Sequence, residues 1–479
     1  MSGTSGRGPV LDTDFVAAAL GETLRERRGP GARFSRAVID SRLVEAGDLF
    51  VALRGEHVDG HDFAADALAR GATGLLLERP PDGDLPGEAA AFIVPDALAG
   101  LQRLAAAWRE ALEGLEVVGV TGNVGKTTTK LMASAVLERR YRVRTSALNY
   151  NNEIGVPLCL LELDAGIERT VIEHGMYTTG EIAQLCEWTR PRVGVVLNIG
   201  PVHLERAGSL EAIARAKREL VEALPADGHA LLNADDPAVA EMAGHTAAQV
   251  LRFGAGEDAD VRGSELASHG AGGFSFTLEA DGQRRRVNVP LPGSHLLPNV
   301  LAAAAVGLVE GVPFADVSAA LEALDVPLRL TVRCLPGGLT LLDDTYNASP
   351  AATRAALDLL GEMSGRRIAL LGDMLELGDL AEPSHEQVGR HAAQRADALF
   401  TVGDLAATIA RGAREAGLGE VRTLDSKAEA AEALRALLLP GDALLVKGSR
   451  ALALETVVAE LEALLAGGPD SPSTGGGES

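Results

Sequence analysis

Short apolar runs separated by stretches of helical spacing recur from about residue 47 to residue 450 of this chain. Strands are expected at Gly47–Leu53 and Gly74–Glu78, with a helix at Ala64–Arg70 between them, and the segment PPDGDLPGEAAAF after them reads as a loop. Further strands are expected at Thr170–Met176, Val193–Gly200 and His229–Pro237, with helices at Thr179–Thr189 and Ser209–Leu224. Beyond residue 328, the runs LTLLDDTYN, RRIALLGDM, ALFTVG and DALLVKGSR read as four strands, each leading into a helix. Runs this short and this apolar suit strands buried on both faces, and their alternation with helices argues for parallel sheets covered on both sides.

The densest chemistry lies in VVGVTGNVGKTTTK, Val117–Lys130. An apolar run enters a glycine turn, Gly122, Asn123, Val124, Gly125, and a helix-like run follows from Thr128 to Arg139. Strand, glycine turn and helix together aim backbone N–H groups and a helix N-terminus at a phosphate. In that reading Lys126 reaches the β- and γ-phosphates, Thr127 offers its hydroxyl to Mg²⁺, and Thr128 completes the turn. The loop is a TGxxGKT variant, since Val120 stands where the Walker pattern has glycine. In open parallel sheets ligands sit at the carboxyl ends of strands, and Glu173 and His203 fall at or just past such ends. A buried carboxylate is costly unless it is paired or bound to metal. Glu173 is therefore either a functional group or an inward-facing acid satisfied by a neighbouring arginine. Asp40, Ser41, Arg42 and His61 occupy polar loop positions, open both to a ligand pocket and to ordinary turn chemistry.

Length and charge narrow the picture. With 479 residues, several domains are expected. The division read from the pattern is 1–113, 114–327 and 328–465, with a Gly/Ser/Pro-rich tail at 466–479 expected to be disordered, as are the first ten residues. The formal net charge of −23 argues against a general binder of nucleic acid or of an anionic membrane. The longest nearly apolar run, Val300–Val309, stops at Glu310, too short to span a bilayer. Three scattered cysteines and no apolar leader point to a reducing cytoplasm.

Taken in order, DSRLVEAGDLFVALRGEHVDGHDF, TGNVGKTTTK, NYNNEIGVPL, VIEHGM, NIGPVHLERAGSLEAIARAKREL, LLNADDP, DDTYNASP, LGDMLELG and VKGSR resemble the ATP-dependent Mur ligases from about Ala37 to Glu455. DDTYNA and GDMLELG are most similar to the member that accepts D-Ala-D-Ala. The resemblance implies an α/β protein of three domains: a small N-terminal UDP-substrate domain, a central P-loop-type ATPase domain and a C-terminal Rossmann-like domain. It implies a monomer that joins a UDP-linked muramoyl tripeptide to D-Ala-D-Ala through an acyl phosphate, using ATP and two Mg²⁺ ions. It also assigns roles. Thr127, Glu173, His203 and Lys217 surround the metals, Lys217 as the lysine that in relatives carries a carbamate; the alternative for Lys217 is a plain helix-surface lysine. Asn299, with His295, approaches adenine. Arg329, Asp344, Tyr346 and Asn347 meet the nucleotide from the third domain. Ser41 and Arg42, then Asn151, Asn152 and Glu153, and finally Lys447, Ser449 and Arg450 face the two substrates.

The chain departs from the family pattern at Asn123 (commonly Ser or Thr), Leu296 (commonly Asn), Tyr177 (often Arg or another polar residue) and Ser349 (commonly Asn). Two alternatives follow: a ligase of the same chemistry redirected to another carboxylate and amine, or a non-catalytic nucleotide-binding scaffold. Intact Lys126, Glu173, His203 and Lys217 weigh against the scaffold.

Overall fold

The computed structural model describes residues 9–55, 57–146, 150–200 and 208–466. His203, most of the extreme N-terminus and nearly all of the expected C-terminal tail lie outside those residues. The chain divides into two compact units. The first comprises residues up to Ile199, Glu211–Arg262 and Pro298–Ala320; the second comprises Gly200–Leu210, Gly263–Leu297 and the chain from Leu321 onward.

The first unit holds two sheets. Strands β1 (Glu26–Arg28), β2 (Ala37–Val38), β3 (Leu49–Val51), β4 (Gly74–Leu77) and β5 (Ala90–Ile93) lie in the order β1-β5-β4-β3-β2. Here the pattern reading needs correction: the last residues of the presumed loop PPDGDLPGEAAAF form β5, a fully buried strand. Its two alanines hid it, because alanine carries little strand signal.

The larger sheet is built from β6 (Glu116–Thr121), β7 (Val143–Thr145), β8 (Arg169–Glu173), β9 (Val193–Val196), β10 (His229–Asn233) and β11 (Gln249–Gly254). They run in the order β11-β10-β9-β6-β8-β7, and every neighbouring pair is parallel, as expected. Strand β12 (Val261–Ser268) joins this edge through Val261 and Arg262. Val117, Val118 and Val120 are fully buried on β6, and each such valine stabilises the fold by roughly 1.5–3 kcal/mol relative to an exposed one.

In the second unit β13 (Phe274–Ala280) and β14 (Gln283–Val289) form an antiparallel hairpin. A further sheet follows, from β15 (Thr331–Leu335), β16 (Leu339–Asp344), β17 (Arg367–Gly372), β18 (Ala398–Val402), β19 (Glu420–Leu424) and β20 (Ala443–Lys447). Its order is β15-β16-β20-β17-β18-β19, with β15 the antiparallel edge. The four strands read from sequence are its centre; β15 and β19 are edges, only partly buried and rich in polar residues.

Candidate functional site

The phosphate turn forms where β6 delivers the chain into α1 (Lys126–Leu137). This helix starts two residues earlier than the sequence pattern suggested. Gly125 precedes it at φ +88°, and a Cβ there would meet Asn299 Nδ2 at 2.2 Å, so only glycine fits. No side chain among the described residues caps the helix, which leaves its positive end for an anion. Asn198, just past β9, braces the turn: its Oδ1 accepts from Asn123 N at 3.0 Å and Val124 N at 2.9 Å, and its Nδ2 donates to Val124 O at 2.9 Å. Asn299 braces it from the other side, donating to Gly125 O at 3.1 Å and Thr129 Oγ1 at 2.8 Å. The Asn299 amide thus holds the loop. Lys126 folds back over the turn, with Nζ donating to Gly122 O at 2.9 Å.

Glu173 is the last residue of β8 and sits in register with Val120 at the exit of β6. It is 1% exposed. Its Oε1 accepts no hydrogen bond among the described residues, although Lys130 Nζ lies 3.3 Å away. Among the described residues its Oε2 has a long contact, 3.4 Å, from Asn151 Nδ2. The alternative of an inward-facing acid satisfied by an arginine is not what the described residues show: the neighbouring cation is Lys130, and the pair is imperfectly aligned. Beside it His174 is fully buried, and burial pushes its imidazole down to about 4. Both ring nitrogens meet the fold, Nδ1 3.3 Å from Ile172 O and Nε2 3.0 Å from Thr189 Oγ1, so His174 is a structural group. Lys217, on helix α2 (Leu210–Glu222), is 3% exposed. Burial holds its ammonium well below the usual lysine range, and the charge of Lys126 adds to the effect. It is not a surface lysine. Among the described residues no cluster of three or more His, Cys, Asp or Glu could hold a metal; His203 lies outside them. The Glu173 oxygen that accepts nothing among the described residues and the Thr127 hydroxyl are nonetheless oxygen donors of the kind that suits a hard cation such as Mg²⁺.

The remaining positions of the first unit divide. Asn152 Oδ1 accepts from Gly155 N at 2.9 Å, supporting the start of the helix Gly155–Leu161. Asn151 reaches Glu173, and Glu153 is exposed. Ser41 is buried, whereas Arg42 is exposed and pairs with Asp40 at 2.7 Å. His61 is structural: Asp59 Oδ1 lies 2.6 Å from Nδ1, and Nε2 accepts from Glu78 N at 2.8 Å. At the amino ends of β6, β8, β9 and β10 a cavity of about 380 Å³ is lined by Arg140, Arg169, Arg192, Glu116 and Glu310 among others. Its charges are largely self-neutralised, Arg169 pairing with Glu310 and Arg192 with Asp227.

In the second unit Asp344 ends β16 beside Lys447 at the end of β20. Lys447 Nζ donates to Asp344 Oδ2 and, at 2.9 Å, to Asn347 O. Tyr346, exposed, has two guanidinium groups over its ring, Arg329 at 4.5 Å and Arg450 at 5.8 Å from the ring centre. Ser449 is spent on the fold, its Oγ accepting from Leu375 N at 2.9 Å. Arg450 is exposed and pairs with Glu455 at 2.7 Å. His295 is exposed to solvent; its pKa is lowered, first by partial desolvation, with the fields of Asp344 and Lys447 acting on it in opposite directions.

Sequence reasoning passed over Lys130 and Asn198. Both stand in motifs already noted, TGNVGKTTTK and NIGPVHLE, and what marks them is contact with the loop or with Glu173, which spacing does not reveal.

Comparison with known proteins accounts for most of the chain. The Mur ligase family catalytic domain matches residues 34–109, the Mur ligase middle domain 120–307, and the Mur ligase glutamate ligase domain 328–450. A protein of Escherichia coli strain K12 named UDP-N-acetylmuramoyl-tripeptide--D-alanyl-D-alanine ligase is 38% identical over 445 residues, 91% of this chain and 96% of that one. The crystal structure of MurF from Acinetobacter baumannii is similar at a TM-score of 0.85, with 32% identity over 95% of this chain and 100% of that one. MurF ligase from Thermotoga maritima, solved in complex with ADP, gives a TM-score of 0.77 and 31% identity over 90% of this chain and 98% of that one.

Proposed function

The chain belongs to the Mur ligase family, and from that premise we propose that it joins D-alanyl-D-alanine to UDP-N-acetylmuramoyl-tripeptide in peptidoglycan precursor synthesis, with ATP converted to ADP and phosphate. The observation that carries the reading is a phosphate turn set beside a buried carboxylate, Glu173, with one oxygen that accepts no hydrogen bond among the described residues. The names of the similar proteins support the choice of substrates.

In this reading the carboxylate that ends the tripeptide takes the γ-phosphoryl group of ATP, and the amine of D-alanyl-D-alanine then displaces phosphate to form the amide. Both partners of the first step are anionic, so neutralisation of charge dominates the barrier. Lys126 and the N-terminus of α1 supply positive charge from the protein. Thr127, Glu173 and His203 would hold two Mg²⁺ ions, which supply the remaining positive charge. Lys217, buried and poorly able to hold a proton, is suited to react with CO₂ as a neutral amine and lose a proton, giving the carbamate that completes the set. Asn151 steadies Glu173, and Asn152 and Glu153 border the same loop. Asn299 serves the nucleotide by fixing Gly125. Tyr346 with Arg329 and Arg450 over its ring, together with Asp344 and Asn347, offers the nucleotide an aromatic and cationic surface. Lys447 acts by holding Asp344. We further propose domain limits at 113/114 and 327/328, and a monomer working in the cytoplasm.

The test is phosphate release with ATP, the UDP-muramoyl tripeptide and D-alanyl-D-alanine, each omitted in turn, with the product weighed by mass spectrometry. Release that requires both substrates, with a product of their summed mass less water, is expected. Release with a different carboxylate or amine, and none with this pair, would redirect the assignment.

A further inference from the structure

We propose that Lys130 is a positioning residue that holds the Glu173 carboxylate ready for the divalent cation. The inference rests on the ligase reading above and adds to it a residue outside the phosphate turn. Lys130 follows Lys126 by one helical turn on α1, so both project from one face. Lys126 folds toward the turn, whereas Lys130 is 0% exposed. A lysine this deep is rare and needs a purpose, because packing alone would be served by an apolar side chain.

Its ammonium is fixed by the chain after β7: Nζ donates to Ser146 O at 2.9 Å and to Ser146 Oγ at 3.1 Å. From that anchored position it lies 3.3 Å from Glu173 Oε1 without forming an aligned hydrogen bond. The arrangement supplies a counter-charge and restrains the carboxylate, yet leaves a lone pair of Oε1 open. A directly aligned bond would occupy that lone pair; an absent lysine would leave a buried carboxylate with, among the described residues, the long Asn151 contact. Outer partners that orient a ligand typically change metal affinity by about 10–100-fold when removed.

The test measures binding of a non-hydrolysable ATP analogue to the full-length protein by calorimetry while Mg²⁺ is varied. In Lys130→Met the Mg²⁺ concentration for half-maximal binding should rise about tenfold, while binding without Mg²⁺ stays within about twofold. Lys130→Arg should recover part of the shift, and Ser146→Ala, which removes only the hydroxyl anchor, should move the requirement the same way by a smaller factor. An unchanged or lowered Mg²⁺ requirement in folded Lys130→Met overturns the proposal; if that variant does not fold, an unchanged requirement in Ser146→Ala overturns it. Wild-type protein that binds the analogue with no Mg²⁺ dependence would overturn the ligase reading as well, so the two failures are told apart by the wild-type curve.

Discussion

Each unit carries a buried lysine–carboxylate pair at the carboxyl ends of parallel strands, and the two pairs are built differently. In the first unit Lys130 and Glu173 lie 3.3 Å apart without hydrogen-bond alignment, and Glu173 Oε1 accepts nothing among the described residues. In the second, Lys447 is bonded to Asp344 and to Asn347 O. The second pair is closed: it ties β20 to β16 and pins the turn carrying Tyr346. The first is open: Glu173 Oε1 accepts no hydrogen bond among the described residues. A buried carboxylate left short of partners costs stability, and on the function proposed above that open oxygen is where a cation would be received. On that reading the same chemical pair is a strut in one unit and a receptor in the other.

That contrast can be broken at either end. Lys447→Met should strand Asp344 and destabilise the protein by about 3–5 kcal/mol, read as a lower urea midpoint; a change under about 1 kcal/mol would mean that the strut carries little. Glu173→Gln should keep the fold but lower kcat by about 10²–10³, with the Mg²⁺ requirement raised; near-normal turnover would remove Glu173 from the site. Asn299→Ala deletes the bonds to Gly125 O and Thr129 Oγ1 and should weaken nucleotide binding about tenfold, measured by calorimetry; equal affinity would make the brace dispensable.

The smallest effect concerns the cysteines. Cys186 is buried, and desolvation followed by the charge of Glu219 pushes its thiol up to about 12, whereas Cys334 is exposed. The raised value means that its contribution to stability is full below about pH 9, the thiol's unfolded value, and is lost as pH climbs toward 12. Alkylation of native protein at pH 8 should therefore modify Cys334 and spare Cys186; rapid labelling of Cys186 would show the core around α2 to be open.

Much of this was visible in the residues themselves. The valines before Gly122 announce a buried strand, and GKT after it announces the phosphate turn; both are local patterns, and both stand where expected. Strand β8 also falls in place, although it ends at Glu173 instead of running to Met176. What was hidden depends on contacts distant in sequence. β14 is mostly exposed, with a run of three arginines, and β19 is a polar edge, so neither shows the apolar signature of a buried strand. Asn198 and Lys130 are ordinary in sequence and acquire meaning only when β9 and α1 bring them to the turn and to Glu173. The residues assigned by resemblance divide for the same reason: Ser449 and Asn152 make bonds that hold the fold locally, while Tyr346 and Arg450 stay exposed.

The claim that Glu173 is the open carboxylate and Asp344 the closed one is tested most directly by anomalous scattering from Mn²⁺ in crystals grown with a non-hydrolysable ATP analogue. The account predicts a peak within bonding distance of Glu173 Oε1 and none at Asp344. A peak at Asp344, or a nucleotide-loaded crystal in which Glu173 touches only Lys130, would contradict it.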